Sequence, residues 1–235
     1  GAEVTLEIDP ASFSENDLGK YIDVGINRVS LGAQSFNDNI LIELGRRHNA
    51  LQLFQSCEWI SKAFQGGELN SWSIDLIQNL PGHSLGLWEQ QLQKALSYSP
   101  PHLSVYDLSI EEGTVFSWRQ KRGQLNLPND DIGADITALT GSILKAVGYS
   151  RYEISNFALP GHPSRHNRVY WSGAGWWGFG LGATSCPWGT RLTRPRRRED
   201  YENWLNEQET FSDLIAKNKS LENDKIKLAK SNLND

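Results

Sequence analysis

Four polar residues in the first third of the chain have side chains suited to binding a small polar ligand. They are Glu7, Gln34, Arg46 and Asp75. Together they could surround a zwitterionic ligand that carries hydroxyl groups, because carboxylate, amide and guanidinium groups bind such atoms. Asp75 is the strongest single signal, since a carboxylate inside the apolar run 72–77 needs a partner. Taken alone, each residue is explained as well by an ordinary structural or solvent-facing role.

A second group of candidates lies in the aromatic and glycine-rich region that follows residue 163. It contains His166, Asn167, Tyr170 and Trp171, with several glycines and tryptophans just beyond them. Such glycines let the backbone pass close to a ligand, and aromatic rings could form the wall of a flat apolar pocket. The imidazole of His166 could ligate iron or donate a hydrogen bond. Composition alone favours the alternative, an aromatic packing cluster with His166 hydrogen-bonded inside it.

The elements that must position these residues alternate between strand-like and helical patterns. Four runs rich in β-branched residues predict strands, at Val4–Ile8, Asn27–Leu31, Trp72–Ile77 and Leu103–Leu108. The stretches between them have helical spacing, and Ser14, Asn37 and Ser84 are suited to cap three of the helices. This pattern predicts a parallel sheet with helices packed outside it. In such folds, functional residues gather where the strands end.

Beyond Leu108 the pattern changes. We predict a loop at Leu125–Asp130, an amphipathic helix from Ile132 to Val147, a strand at Tyr152–Ser155, and irregular structure or short antiparallel strands over residues 163–192. The fold class is therefore α/β, with a smaller α+β region after the sheet. We divide the chain into residues 1–125, residues 126–207 and an unassigned polar tail, 208–235.

Composition excludes several functions. The 235 residues carry a net charge of −5, which argues against nucleic acid as the main partner. No stretch has the roughly 20 apolar residues that a membrane span needs. Cys57 and Cys186 are the chain's two cysteines, a pattern typical of a reducing cytoplasm and too few for an iron–sulfur cluster. The chain contains no Met and opens on Gly1 directly before a strand, so we expect a fragment.

Several short motifs, in order along residues 3 to about 205, resemble the radical-SAM, coproporphyrinogen-oxidase-like family. Glu7 stands in Glu-Ile-Asp-Pro, and His166 opens His-Asn-Arg-Val-Tyr-Trp. The other matching segments are 25–36, 44–48, 73–77 with 80–82, 100–106, 152–153 and 178–183. The His-Asn-x-x-Tyr-Trp variant is similar to that of the family's heme chaperones, more than to that of its decarboxylating oxidase.

The resemblance implies a partial (β/α) radical-SAM barrel without its first strands. It implies that Glu7, Gln34, Arg46 and Asp75 contact S-adenosylmethionine, and that His166, Asn167, Tyr170 and Trp171 fall on a stretch proposed for heme. The implied cofactors are S-adenosylmethionine, a [4Fe–4S] cluster and heme, and the implied partners are heme or a porphyrin and recipient hemoproteins. The cluster's cysteine motif is absent from this chain, so no metal ligand and no catalytic residue is predicted here. An oxygen-independent coproporphyrinogen III oxidase is the main alternative to a chaperone, and a radical-SAM enzyme with an unrelated substrate is a third.

Overall fold

The computed structural model describes residues 1–207, and the predicted tail from residue 208 onward lies outside this range. The chain divides into two compact units, of which the first is Gly1–Arg168 and the second begins at Val169. Each unit is described by itself below. The division at residues 125 and 126 suggested by the sequence stays a prediction.

The first unit is built on a six-stranded sheet whose centre is parallel. Its four parallel strands are β1 (Thr5–Ile8), β2 (Arg28–Gln34), β3 (Ser71–Gln78) and β4 (His102–Asp107). Two short strands, β5 (Ser150–Arg151) and β6 (Asn156–Ala158), extend the sheet beyond β4, with β6 antiparallel to it. The strand order is β1-β2-β3-β4-β6-β5. The predicted α/β class and the four predicted strands are thus confirmed.

Most of the connecting helices begin where the sequence predicts them. The helices of the first unit are α1 (Glu15–Asp23), α2 (Asp38–Glu43), α3 (Ala50–Gln65), α4 (Leu85–Leu96), α5 (Val115–Lys121) and α6 (Asp130–Ala146). Ser14, Asn37 and Ser84 each accept a hydrogen bond from a backbone N–H of the first helical turn, which satisfies donors that the helix itself leaves open. Helix α5 was not predicted.

The core lies on one face of the sheet, against these helices. Successive residues of a strand point to opposite faces, so every second residue of β2 and β3 and of the first part of β4 is apolar and buried. The core side chains of the sheet include Val29, Leu31, Trp72, Ile74, Leu76, Leu103 and Val105, packed with Leu53, Ile60, Trp88, Leu92, Ile136 and Leu144 from the helices. The core holds the sheet in place and leaves its other face available for polar side chains.

One predicted strand is wrong. Residues 152–155 form the turn between β5 and β6 and are not themselves a strand. The Arg151 guanidinium donates to the backbone carbonyls of Glu153 and Ile154, and the backbone N–H of Ser155 donates to the Glu153 carboxylate at 2.9 Å. These local bonds close the chain into a turn, at the ends of which the backbone N–H of Tyr152 still donates to the Asn156 carbonyl and the Ser155 carbonyl accepts from the backbone N–H of Val105.

The region 163–192 contains α7 (Arg165–Trp171), which was not predicted, and β7 (Thr184–Ser185), a short antiparallel strand of the kind that the sequence offered as one alternative. Its partner strand is β8 (Leu192–Thr193), and α8 (Arg198–Glu207) follows in the second unit. Within residues 1–207, no helix combines the length and the apolar character that crossing a membrane would require.

Candidate functional site

The face of the sheet opposite the core is lined by polar side chains from all four parallel strands. Register explains how they meet: Glu7 pairs with Ser30, Asp75 pairs with Ser104, and Ile77 pairs with Tyr106. Thr5 and Arg28 are paired in the same way at the other end of β1. These side chains, with Glu3, Gln34, Ser164, His166 and Asn167, surround a cavity of about 520 Å³. This volume is in the range of small-molecule sites.

The cavity brings together five of the eight residues singled out from the sequence. Glu7, Gln34 and Asp75 come from the first group, and His166 and Asn167 come from the second. Arg46 borders an adjoining cavity of about 310 Å³, which Glu7, Gln34 and Asp75 also line. The remaining two, Tyr170 and Trp171, belong to the second unit. Two groups that are some 90 to 160 residues apart in sequence therefore share one site.

Gln34 reaches the cavity through an irregularity at the end of β2. The register between β2 and β3 shifts between Leu31 and Gln34, so the chain bulges there. Gln34 has φ of 62°, a left-handed conformation that non-glycine residues adopt rarely and at some cost. A Cβ atom at Gly32 would lie 3.3 Å from both Asp9 Oδ1 and Gln34 Nε2. Glycine at this position leaves space for the polar atoms that gather at the strand end.

Arg46 is held by two oxygen atoms at the rim of the adjoining cavity. Its guanidinium forms an ion pair with the Asp9 carboxylate, and it donates to the Gly32 carbonyl at 3.3 Å. Nearby, Nε2 of the buried His48 lies 3.2 Å from the Ala33 carbonyl. Arg46 is thus oriented by Asp9 and the bulged end of β2. A ligand carboxylate would bind the same guanidinium group that Asp9 contacts.

Asp75 has the partners that its place in an apolar run demands. Its carboxylate accepts hydrogen bonds from the hydroxyls of Ser30 at 2.8 Å and Ser73 at 2.9 Å. Burial raises the pKa of Asp75 above its usual value, although the hydroxyls of Ser104, Ser30 and Ser73 and the charge of Arg28 act in the opposite direction. Burial disfavours the ionised form more than these hydroxyls favour it. Asp75 can consequently accept hydrogen bonds when ionised and donate one when protonated.

A continuous chain of hydrogen bonds runs from Asp75 to Asn167. The Ser73 hydroxyl lies 2.9 Å from His102 Nδ1, and His102 Nε2 lies 2.8 Å from the Tyr152 hydroxyl. That hydroxyl accepts from Asn167 Nδ2 at 3.4 Å and from the Ser164 backbone N–H at 3.3 Å. Burial lowers the pKa of His102 to about 3, so its ring is neutral and can donate from one nitrogen while it accepts at the other.

Glu3 fixes the start of the segment that carries His166. Its carboxylate accepts from the backbone N–H groups of Arg165 at 3.0 Å and His166 at 3.2 Å. The Ser164 hydroxyl also reaches it, at 3.4 Å. Glu3 lies just before β1, so this contact ties the first strand of the sheet to residues more than 160 positions later.

Sequence reasoning missed several lining residues, notably Glu3, Arg28, Ser30, Ser104 and Tyr106. The available signal was the alternation inside the strands, where Arg28, Ser30, Ser104 and Tyr106 occupy every second position. The polar residues at the strand ends predicted the rim of the site. The alternating polar residues inside the strands would have predicted the residues that line its base. Glu3 has no comparable signal, because its role depends on a contact with a distant segment.

The second unit keeps its aromatic residues in close pairs. The ring centroids of Tyr170 and Trp176 lie 4.6 Å apart, and those of Trp177 and Trp188 lie 5.4 Å apart in an edge-to-face arrangement. Trp171 is 58% exposed. The aromatic side chains of this unit therefore pack in pairs, and a partly exposed aromatic surface accompanies them. His166, which the alternative favoured by composition put inside an aromatic cluster, is exposed and belongs to the first unit.

The described residues do not fit an iron–sulfur cluster. Among residues 1–207 there is no group of three or more His, Cys, Asp or Glu side chains arranged to hold a metal ion. Cys57 and Cys186 are both buried and unpaired with each other, and burial raises the pKa of the Cys57 thiol, which opposes formation of the thiolate a metal needs. The donor set of the cavity does fit S-adenosylmethionine, because three carboxylates and two amides face a space of suitable size.

The architecture of the first unit defines the class of fold. Coproporphyrinogen III oxidase (HemN) from Escherichia coli, described as a radical SAM enzyme, matches with a TM-score of 0.70 over 88% of this chain and 49% of that chain. The sequence identity is 22%, so this likeness concerns the fold. The predicted fold, a partial radical-SAM β/α barrel, is thereby confirmed.

Relatives in sequence are more specific. The chain is 41% identical over 204 residues to the protein named heme chaperone HemW from Synechocystis, and 39% identical over 189 residues to that from Lactococcus lactis. These alignments cover 87% and 80% of this chain. No protein-family model matches the chain. The resemblance to the radical-SAM, coproporphyrinogen-oxidase-like family, and within it to HemW, is confirmed by these relatives. The chain spans about half the length of the curated relatives it matches, 48% and 49% for these two.

Proposed function

We propose that this chain forms the ligand-binding part of a heme chaperone of radical-SAM ancestry. In the full-length protein it would bind heme and pass it to hemoproteins, with S-adenosylmethionine and a [4Fe–4S] cluster as further bound groups. The observation that carries the proposal is the shared cavity, where Glu7, Gln34 and Asp75 lie together with His166 and Asn167. The names of the sequence relatives support the same function. A cytoplasmic location belongs to this proposal.

The polar strand ends are assigned to S-adenosylmethionine. The carboxylates of Glu7 and Asp75 would accept hydrogen bonds from ribose hydroxyls or from the ammonium group, and the Gln34 amide can both donate and accept. Arg46 would bind the methionyl carboxylate from the adjoining cavity through its planar guanidinium, which Asp9 already orients. No step through the cluster is assigned to these residues, because none of them fits as its ligand.

The segment with α7 is assigned to heme. His166 is exposed at the edge of the cavity, where an imidazole nitrogen could ligate the iron or donate a hydrogen bond. Asn167 is oriented by the Tyr152 hydroxyl. Tyr170 and Trp171 follow on the same helix and are proposed to offer aromatic surface to the porphyrin. The exposure of these side chains suits a site from which heme must leave again.

Heme titration tests the assignment. We expect the Soret band of ferric heme to shift on addition of the chain and to saturate at one heme per chain. The variant His166→Ala should bind about tenfold more weakly or worse, because a lost ligand or charge-assisted bond is worth roughly 1.5–3 kcal/mol. Arg168→Ala, on the same helix but not in the cavity lining, is the matched control and should titrate as the wild type does. An unchanged titration of His166→Ala would contradict the role of His166.

The second candidate is an oxygen-independent coproporphyrinogen III oxidase, favoured by the likeness in fold to HemN. Such an enzyme would use a 5′-deoxyadenosyl radical to decarboxylate propionate side chains. Incubation of the reconstituted full-length protein with coproporphyrinogen separates the two. Conversion to protoporphyrinogen would favour the oxidase, and heme binding without turnover would favour the chaperone.

A further inference from the structure

Arg28 is a buried charge that forms no ion pair among residues 1–207. The residue is 4% exposed, and its Nε atom has no hydrogen-bond partner within residues 1–207. The ion pairs of this part of the chain involve other residues. A buried guanidinium that forms no ion pair is costly, because it has lost its hydration without a direct counter-charge in exchange. Such an arrangement is typical of a group that pairs with a ligand.

The carboxylates that share the cavity with Arg28 do not form ion pairs with it. Glu3 is engaged by the backbone N–H groups of Arg165 and His166, and Asp75 by the hydroxyls of Ser30 and Ser73. Glu7 lies on β1 two positions beyond Thr5, the register partner of Arg28. Glu3 and Asp75 thus serve other contacts, and Glu7 forms no ion pair with Arg28, which leaves the guanidinium of Arg28 available inside the cavity.

Arg28 lies at the end of the cavity that His166 and Asn167 also line. It opens β2, whereas Gln34 closes that strand. Six residues of extended chain separate the two by roughly 20 Å. Arg28 also lines a neighbouring cleft of about 260 Å³ together with His162 and Arg165, which lie in the same segment as His166. Arg28 is therefore remote from Arg46 and close to the stretch proposed for heme.

We propose that Arg28 binds a carboxylate of the ligand that occupies this cavity. The planar fork of a guanidinium pairs with a carboxylate through two parallel hydrogen bonds, and the pairing is strong where water is excluded. The position near His166 makes a porphyrin propionate the expected source, and in this respect the inference rests on the proposed function. The methionyl carboxylate of S-adenosylmethionine is the other source of the same chemistry.

The test compares ligands with and without their carboxylates. Ferric protoporphyrin IX and its dimethyl ester are titrated into the wild-type chain, Arg28→Gln and Arg28→Lys. We expect the wild type to bind the free acid at least tenfold more tightly than the diester. Arg28→Gln should reduce this ratio to near one while its affinity for the diester stays unchanged, and Arg28→Lys, which keeps the charge but lacks the fork, should give an intermediate ratio. Thermal unfolding of each variant verifies that it is folded.

A second arm uses S-adenosylmethionine and its decarboxylated analogue. If Arg28→Gln weakens binding of S-adenosylmethionine but not of the decarboxylated analogue, Arg28 does bind a carboxylate, and that carboxylate is the methionyl one. A wild-type chain that binds neither porphyrin would contradict the proposed function, whatever this arm shows. If Arg28→Gln keeps the wild-type preference for the acid in both arms, or if the wild type has no such preference in either, the assignment of Arg28 is wrong.

Discussion

Nε2 of His102 lies 2.8 Å from the hydroxyl of Tyr152, and this contact joins the sheet to the segment that leads into α7. His102 opens β4 and is fully buried, while Tyr152 lies in the turn between β5 and β6. Through Ser73 on one side and Asn167 on the other, the pair connects Asp75 with the stretch proposed for heme. The two halves of the candidate site are thus linked by a network whose members can be changed singly.

Removing the Tyr152 hydroxyl should weaken this link. Tyr152→Phe leaves His102 Nε2, the Ser164 N–H and the Asn167 amide without their common partner. A buried polar group without a partner costs about 1–3 kcal/mol, so we expect the free energy of unfolding to fall by that amount in urea denaturation. Heme affinity should fall as well, because Asn167 loses its orientation. Tyr21→Phe, at a partly buried tyrosine outside the network, is the matched control and should change neither quantity.

Asp75→Asn should separate stability from binding. Burial raises the pKa of Asp75, so its contribution to stability is full below the unfolded-state pKa and is lost as pH rises through the folded-state pKa. At neutral pH the amide avoids this loss, and we expect Asp75→Asn to be at least as stable as the wild type. S-adenosylmethionine should bind about 10- to 100-fold more weakly, since hydrogen bonds to a charged group are worth roughly 1.5–3 kcal/mol.

Calorimetric titration and denaturation of the same Asp75→Asn preparation measure both effects. Asp135→Asn, a carboxylate on α6 that is not in the cavity lining, serves as the control for loss of a negative charge. A variant that is much less stable and binds normally would show that Asp75 is a structural residue only.

Stability should decline on acidification from about neutral pH. Burial lowers the pKa of His102 to about 3 and that of His83 to about 4, from 6.5 in each case. A lowered folded-state pKa gives stability that is present above 6.5 and is lost as pH falls toward the folded value, because the unfolded chain binds the protons first. In this pH window, each such histidine lowers the free energy of unfolding by about 1.4 kcal/mol for each pH unit of acidification. Urea denaturation between pH 7.5 and 5 measures the slope, and a flat profile would contradict neutral burial of these rings.

The second unit should depend on the absence of a side chain at Gly178. A Cβ atom there would overlap the backbone carbonyl of Thr184, an obstacle that cannot move without opening the hairpin. We therefore expect Gly178→Ala to reduce the near-ultraviolet circular dichroism of the tryptophans and to speed proteolysis after residue 169. Gly141→Ala in α6 has open space around it and should raise stability by up to about 1 kcal/mol. If Gly178→Ala and Gly141→Ala have the same effect on circular dichroism and proteolysis, the close approach of Gly178 to the Thr184 carbonyl is contradicted.

Sequence alone determined the elements and the rim of the site. Alternating β-branched runs and capping residues such as Ser14 and Asn37 specify strands and helix starts locally, so they could be predicted without knowledge of the fold. Polar residues at the strand ends, such as Glu7 and Gln34, were found for the same reason. The turn at 152–155 was not predicted. Its residues have strand-forming side chains, but the hydrogen bonds from Arg151 to the carbonyls of this segment stabilise a turn instead.

Tertiary structure decided which distant residues share the site. Register places Ser30 beside Glu7 and Ser104 beside Asp75, and no local pattern contains that information. The contact of Glu3 with residues 164–166 and the burial of Arg28 without an ion pair among residues 1–207 likewise depend on segments far apart in the chain. Short-range preferences act over a few residues, whereas the site forms only when the sheet brings its strands into register.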